Sequence, residues 1–389
     1  MSPNDDFTLY RQVLQQHGDG RPRLLLDLQR LGANADRACG LFPGQPLRLV
    51  VKSLPCLPLL RWLSQRMGTR RFMVFHWPFL QQLLSAMPDA DVLLGKPMPV
   101  LVLTRLLAAG VGAERLASAC WLVDSAERID AYAGFARAHG LRLRVAVEVD
   151  VGMARGGVRS PYELQQLLAR WPEALELEGL MGYDAQVAKA PWWWGGSRRA
   201  YRQSQDRYRE FIGLLAPHQR RLLNGAGSPT LPLHGAGSVA NDFSLGSCLL
   251  KPTDFDLPQL AVFTPALLIA APVLKRLRGV TLPFVGRLAS PLGGRDSLFL
   301  YGGRWMAKPC WPEAMATQPW YGLSSNQQLM TLPAQTPCGP DDYVFFRPTQ
   351  SEAVMLQFGD LWVLNEDRSM QAWPVMSNEV SEHPDVTGV

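Results

Sequence analysis

Cysteine is sparse in this sequence and unpaired in its spacing. The six cysteines of the 389 residues stand at positions 39, 56, 120, 248, 310 and 338, with no CxxC pair. That excludes a disulfide framework and a zinc-finger pattern, and it suits a reducing compartment. A strong charge of either sign is also lacking. The formal net charge is +5 and the basic residues are scattered, with the densest clusters at Arg198-Arg199 and Arg220-Arg221 in or beside a helical stretch. These read as solvated faces, and without a basic stripe interleaved with aromatics no nucleic-acid partner is expected. Long hydrophobic runs are missing: the stretch 257–273 is interrupted by Pro258, Pro265 and Pro272, so no membrane span is expected. The opening Met-Ser-Pro-Asn-Asp-Asp is acidic and carries no apolar h-region, and the expected location is the cytoplasm.

What is present is the composition of a chain with a sizeable core, 47% apolar and 19% charged. After a helical stretch over 7–16, short apolar, β-branched runs alternate with helix-length intervals. The runs fall at 24–28, 47–51, 72–75, 91–94, 120–123, 143–149, 177–181 and 221–223. Between them, 57–67, 79–86, 99–109, 125–138 and 198–215 show apolar residues at three- and four-residue spacing. Ser160 and Glu163 bracket Pro161 as a capping box. Strands buried on both faces by helices form a parallel sheet, and eight of them match an α/β fold of the (β/α)8 barrel type. An open doubly wound sheet is the alternative. From about residue 251 helical periodicity fades, and runs at 283–287, 297–301, 329–332, 342–346 and 361–364 indicate a mostly β domain. The expected division is a barrel over 1–250, with helix 7–16 able to pack on the second domain, then a β domain over 251–378. The polar stretch 379–389 is expected to be disordered.

A barrel keeps its chemistry at the carboxyl ends of its strands, and five features fall there. Lys52 ends the run Leu47-Arg-Leu-Val-Val, either as a desolvated amine able to attack an aldehyde or as a solvated end charge. His76 follows the third run, to stack over a ligand or to pack beneath the loop. Glu148-Val-Asp150-Val-Gly-Met-Ala-Arg155 follows the sixth, with Arg155 facing an anionic oxygen or pairing with Asp150. Tyr183 and Asp184 follow the seventh: a hydroxyl or a packing ring, a base or a cap. The turn Asn224-Gly225-Ala-Gly227-Ser228-Pro-Thr230 follows the eighth and offers amides and hydroxyls to a phosphate. An imine-forming lysine opposite a phosphate cradle points to pyridoxal 5'-phosphate. The run Trp192-Trp-Trp194 is expected at a dimer contact or over the site.

The segments 24–27, 50–53, 91–95, 148–158, 179–183 and 224–230 resemble the fold-type III pyridoxal-phosphate enzymes, and most of all the D-threonine aldolase and D-serine dehydratase group of the alanine-racemase-like superfamily. The Glu-Val-Asp-x-Gly-Met-x-Arg-x-Gly-Val stretch is the most specific motif. The resemblance covers about 20–275. It implies a homodimer with sites at the barrel mouths and a small amino-acid substrate. It also implies that Lys52 carries the cofactor, Arg155 faces its phenolic oxygen, residues 225–230 bind its phosphate and Tyr183 lies near its ring. His76, Asn224, Gly225, Gly227, Ser228 and Thr230 complete the expected cofactor contacts, and Lys52, Tyr183 and Asp184 the catalytic set.

Many members hold a divalent metal through a histidine with a cysteine or aspartate in the β domain. Here the corresponding stretch, 346–353, has neither histidine nor cysteine, and Gln350 and Glu352 stand in the approximate places. The plain expectation is that the metal site is lost. The aldolases also place a histidine where this chain has Asp184. The expected function is a lyase acting on a D-amino acid, first by retro-aldol cleavage of a D-β-hydroxy amino acid, with dehydration of the D-serine dehydratase kind second. Racemisation and a non-catalytic pyridoxal-phosphate carrier are the further alternatives.

Overall fold

The computed structural model describes residues 3–235, 237–282, 286–287 and 294–379. They divide into two compact units. One comprises the described residues of 1–32, 250–256 and 264–375, and the other those of 33–249, 257–263 and 376–389.

The second unit is a closed parallel barrel. The chain's first strand, β1 (Arg23–Asp27), is not part of it. The barrel strands are β2 (Leu47–Val50), β3 (Arg71–Val74), β4 (Asp91–Leu94), β5 (Cys120–Val123), β6 (Leu143–Glu148), β7 (Leu175–Met181), β8 (Leu222–Gly225) and β9 (Asp242–Leu245), and β9 pairs back onto β2. The intervening helices start and stop where local chemistry dictates. Leu57–Met67 has proline in its first turn and ends on Gly68 at φ +60, whose N–H bonds the Ser64 and Gln65 carbonyls. Ala126–Ala138 begins at Ser125, whose hydroxyl accepts from the Arg128 amide. Pro161–Leu168 begins at Ser160, which accepts from Glu163 N, while the Glu163 carboxylate accepts from Arg159 N rather than from the cap residue itself. No helix among the described residues is long and apolar enough to cross a membrane.

The end of the barrel away from Lys52 is filled by charge. Arg48, on β2 and fully buried, donates Nε to Asp242 Oδ1 at 2.7 Å and Nη2 to Oδ2 at 2.8 Å. It also reaches the Phe72 and Asp91 carbonyls and the Asp91 carboxylate. The alternation continues through Arg144 with Asp91 and Glu178, and through Arg221 with Glu178. Burial alone would raise the Asp242 carboxyl, but the Arg48 charge and hydrogen bonds, then Asn224 and Arg71, hold it below the usual carboxylate range.

Two expectations are corrected. The run 24–28 was expected as the first barrel strand. Instead β1 lies in the other unit, antiparallel to Leu267–Leu277 and parallel to Asp360–Leu364. Leu24, Leu25 and Leu26 are as buried as any barrel strand, because a central strand of a covered sheet shows the same continuous apolar run. Barrel strand β9 was not expected at all. Its inward positions carry Asp242 and Ser244, so the apolar run is broken where Arg48 and Asn224 demand polar partners. The turn at 224–230 therefore follows the seventh barrel strand and not the eighth.

In the first unit a nine-stranded sheet carries β1 at its centre, between Leu267–Leu277 and Asp360–Leu364. The expected runs at 297–301, 329–332, 342–346 and 361–364 lie within Arg295–Tyr301, Gln327–Pro333, Tyr343–Pro348 and Asp360–Leu364. Of the run 283–287, residues 283–285 lie outside the described residues, as do 380–389 of the tail expected to be disordered. The N-terminal helix Pro3–His17 buries Tyr10, Val13 and Leu14 against Leu25, Leu268, Tyr343 and Phe345 of this same unit, each worth about 1.5–3 kcal/mol for a large apolar side chain.

Arg48→Ala would leave the Asp242 carboxylate buried without its main partner, and a loss of about 3–5 kcal/mol is expected in urea unfolding followed by circular dichroism. The folded pKa of Asp242 lies below its unfolded value, so its stabilisation is present above the ordinary carboxylate range and is lost as pH falls through the lowered value. Removing Arg48 leaves burial to raise that carboxyl, so the acid-unfolding midpoint should move to higher pH.

Candidate active site

Past β2 the chain tightens into a 3-10 turn, Val51–Ser53, that buries Val51 and Ser53 and leaves Lys52 exposed. The Lys52 ammonium lies 4.4 Å from the centroid of the Phe75 ring, a cation–π distance. Phe75 rests on Gly95, where a Cβ would lie 2.2 Å from the ring, so only glycine admits the aromatic floor under Lys52.

The turn after β8 is built around Ala226 at φ +64, with the Thr230 and Leu231 amides donating to the Gly227 carbonyl. The buried Ser228 hydroxyl accepts from the Gly246 and Cys248 amides at 3.0 and 3.1 Å, which leaves its own hydrogen to donate. Gly246 lies against Val50 and Ser53, where a Cβ would come within 3.0 Å of both side chains. Ser247 Oγ donates to Ser53 Oγ at 3.0 Å. The hydroxyl-rich turn is thus tied, through the loop after β9, to the turn that carries Lys52.

Tyr183 and Arg155 meet on the same rim. The Arg155 guanidinium carbon is 5.0 Å over the Tyr183 ring, and that ring packs on Gly227. Arg155 does not pair with Asp150. The Asp150 carboxylate accepts from the Gly152 and Ala154 amides and faces Arg207 at 3.7 Å, shaping the loop that presents Arg155. Nearby, burial first and then the Asp124 charge raise the Glu148 carboxyl, with Arg155 opposing.

His76 is half-buried, edge-on to Phe79, with its carbonyl capping the helix Trp77–Ala86. Burial, then the Lys96 charge, lower its pKa against a hydrogen bond with Asn378, so the imidazole is neutral at physiological pH. It borders a cavity of about 400 Å³ lined also by Phe75, Trp77, Lys96, Met98 and Leu101.

Several expected site residues have other roles. Asn224 lies within the barrel, its amide donating to Asp242 and Ser244, so its side chain is absent from the turn. Gly225 serves packing, since a Cβ there would stand 3.0 Å from Ala240 Cβ. Thr230 is fully buried and its hydroxyl donates to Asp184 Oδ1 at 2.7 Å, leaving no hydrogen for a phosphate. Asp184, expected as a candidate base, is 1% exposed and engaged at both oxygens, with His234 Nε2 on Oδ2 at 2.8 Å. Gln350 donates to Asp254, and Glu352 sits in the first turn of Ser351–Phe358 beside Ser351. Among the described residues no three histidine, cysteine or acidic side chains come together as a metal site. Trp192, Trp193 and Trp194 form a short 3-10 turn and are 83%, 71% and 65% exposed. Sequence reading missed Phe75, Ser53, Gly246, Ser247 and His234. The pair Gly246-Ser247 is a strand-end signal that recognition of β9 would have revealed.

The arrangement holds an exposed amine, an aromatic floor, a hydroxyl-and-amide turn and a guanidinium around one barrel mouth. These groups fit a phosphorylated aromatic aldehyde: amine to carbonyl, turn to phosphate, guanidinium to a phenolate.

Residues 26–251 match the family model of the alanine racemase N-terminal domain. No curated protein matches the sequence significantly. Among solved structures the chain is similar to the D-threonine aldolase of Filomicrobium marinum, at 18% identity and a TM-score of 0.69 over 92% of this chain and 98% of that one. It is similar to the D-threo-3-hydroxyaspartate dehydratase of Delftia sp. HT23, at 18% identity and 0.66 over 91% and 97%. The alanine racemase of Bacillus anthracis gives 15% identity and 0.66, again over 91% and 97%.

A methyl group on Gly227 would stand 2.6 Å from Tyr183 Cε2. Gly227→Ala should therefore cost about 1–3 kcal/mol in urea unfolding, the usual range for overpacking, and Tyr183→Leu in the same chain should recover most of it.

Proposed function

This chain belongs to the alanine racemase N-terminal-domain family, and from that membership we propose that it is a lyase cleaving a D-β-hydroxy amino acid by a retro-aldol reaction. At the coarser level it is a fold-type III enzyme whose cofactor is pyridoxal 5'-phosphate. The observation that carries the proposal is the tie between the Lys52 turn and the Ser228 turn through Ser53, Gly246 and Ser247. That tie supports reading an amine and an anion cradle at one mouth. The similarity to an aldolase and a dehydratase named for D-amino acids, across nearly the whole chain, favours a D-substrate with a β-hydroxyl. The reading includes a homodimer working in the cytoplasm.

Lys52 would supply the amine that holds the cofactor's carbonyl carbon, and its Nζ would be the group to carry a proton to and from Cα. Ser228 would offer its hydroxyl to the phosphate, and Arg155, stacked on the Tyr183 ring, would be the partner for the phenolic oxygen. When bound, the cofactor withdraws electrons from the bonds at Cα, so that the Cα–Cβ bond can break. That break requires the β-hydroxyl to lose its proton as the aldehyde forms. Asp184 is sealed away from that task. His76, neutral at the mouth, is the group we assign to accept the proton, and Tyr183 is the other hydroxyl at hand.

Purified protein should show a visible absorption band that borohydride bleaches, and Lys52→Ala should lack it. D-Threonine should yield glycine and acetaldehyde, assayed with and without Mg²⁺ or Mn²⁺. Release of a keto acid and ammonia instead would replace cleavage by dehydration, and no turnover of D-threonine or D-serine would leave a carrier. Because the His76 pKa is lowered, kcat/KM should fall only at pH below the ordinary histidine value, and that acid limb should vanish in His76→Gln.

A further inference from the structure

Behind the turn at 225–230 lies a chain of buried polar groups that the reaction above does not use. Asp184 Oδ1 accepts from Thr230 Oγ1 at 2.7 Å, Asp184 Oδ2 meets His234 Nε2 at 2.8 Å, and His234 Nδ1 meets Ser238 Oγ at 2.9 Å. Asp184, Thr230 and His234 are 1%, 0% and 3% exposed. Tyr201 and Phe243 enclose the imidazole edge-on at 5.0 and 5.7 Å.

We propose that Asp184 and His234 are positioning residues that hold the 225–230 turn in the shape that receives a phosphate monoester. The inference rests on the reading of that turn as the cofactor's phosphate cradle. Thr230 contributes by place and not by donation: its hydroxyl hydrogen goes to Asp184, and its amide closes the turn on the Gly227 carbonyl at 3.0 Å. The first bond anchors the turn to the end of β7, the second closes it around Ser228 and Pro229, and Asp184 with His234 joins both to the loop that enters β9. A carboxylate buried this deeply needs a partner on each oxygen. Thr230 meets one oxygen of Asp184 and the His234 imidazole the other, so both lone-pair faces of the buried carboxylate are engaged. The chain therefore bears on the shape of the turn at the phosphate end of the site, and none of its bonds reaches the Val51–Ser53 turn that carries Lys52.

The test uses the apoprotein, titrated in parallel with pyridoxal 5'-phosphate and with pyridoxal, which lacks the phosphate, and followed by the visible band. Thr230→Val and Asp184→Ala should each weaken uptake of the phosphorylated ligand about 10- to 100-fold while leaving pyridoxal within about twofold of wild type. Thr230→Ser, which keeps the hydroxyl, should behave as wild type. The double variant Thr230→Val with Asp184→Ala should be no weaker than Asp184→Ala alone, because both changes cut one chain. Equal loss for both ligands would overturn the proposal by reducing the pair to core packing, and so would no loss for either. A wild-type protein that binds both ligands equally would remove the phosphate cradle from this turn and the proposal with it. Wild-type protein that takes up neither ligand would instead overturn the reading of the whole mouth as a pyridoxal-phosphate site.

Discussion

Closure of the barrel turns on Arg48 and Asp242. They stand on the first and last barrel strands, and their two parallel hydrogen bonds stitch the seam where the sheet meets itself. A buried ion pair gains little net stability unless every donor is met. Here the guanidinium also takes the Phe72 and Asp91 carbonyls and the Asp91 carboxylate, so no donor is left over. An apolar pair could slide along the seam, whereas a fork-shaped donor facing a carboxylate accepts one register. That register places Leu49 opposite Leu245 and so carries Lys52-Ser53 to the side of Gly246-Ser247. A charge contact at one end of the barrel thereby decides which groups meet at the other.

The mouth is layered. Lys52 and Arg155 are exposed and Tyr183 and His76 half-buried, while Asn224, Thr230, Asp184, Asp150 and His234 are buried and hydrogen-bonded within the fold. Asp150 illustrates the second kind: its carboxylate organises two amides of its own loop, and the consequence is felt at Arg155, stacked on Tyr183. Membership of the alanine racemase N-terminal-domain family accounts for the cofactor, while the second layer, the Asp184–His234 pair included, was found only in this chain's own geometry.

The periodicities made most of the barrel legible. Leu57–Met67, Asp91–Leu94 and Cys120–Val123 form where their spacing and caps direct, since turn chemistry and binary patterning are local properties. The position of Lys52 at a strand end and the exposure of Arg155 on the 150–155 loop were equally open to reading, because strand ends and glycine-rich loops mark themselves.

Partners, by contrast, are a matter of three dimensions. Residues 24–26 read as a barrel strand because burial on both faces looks the same in any covered sheet, and only packing assigned β1 to the other unit. Strand β9 was hidden because its inward side chains are polar: Asp242 answers Arg48, nearly two hundred positions earlier, and Ser244 answers Asn224. Asp184, Asn224 and Thr230 were visible as polar residues past strand ends, but one polar side chain can face the mouth or the core. The sequence by itself determined that a lysine and a hydroxyl-rich turn would stand at the ends of parallel strands. Only the tertiary structure decided that they share one mouth and which polar groups stand behind them, because direction and distance between remote side chains are set by the closing of the sheet.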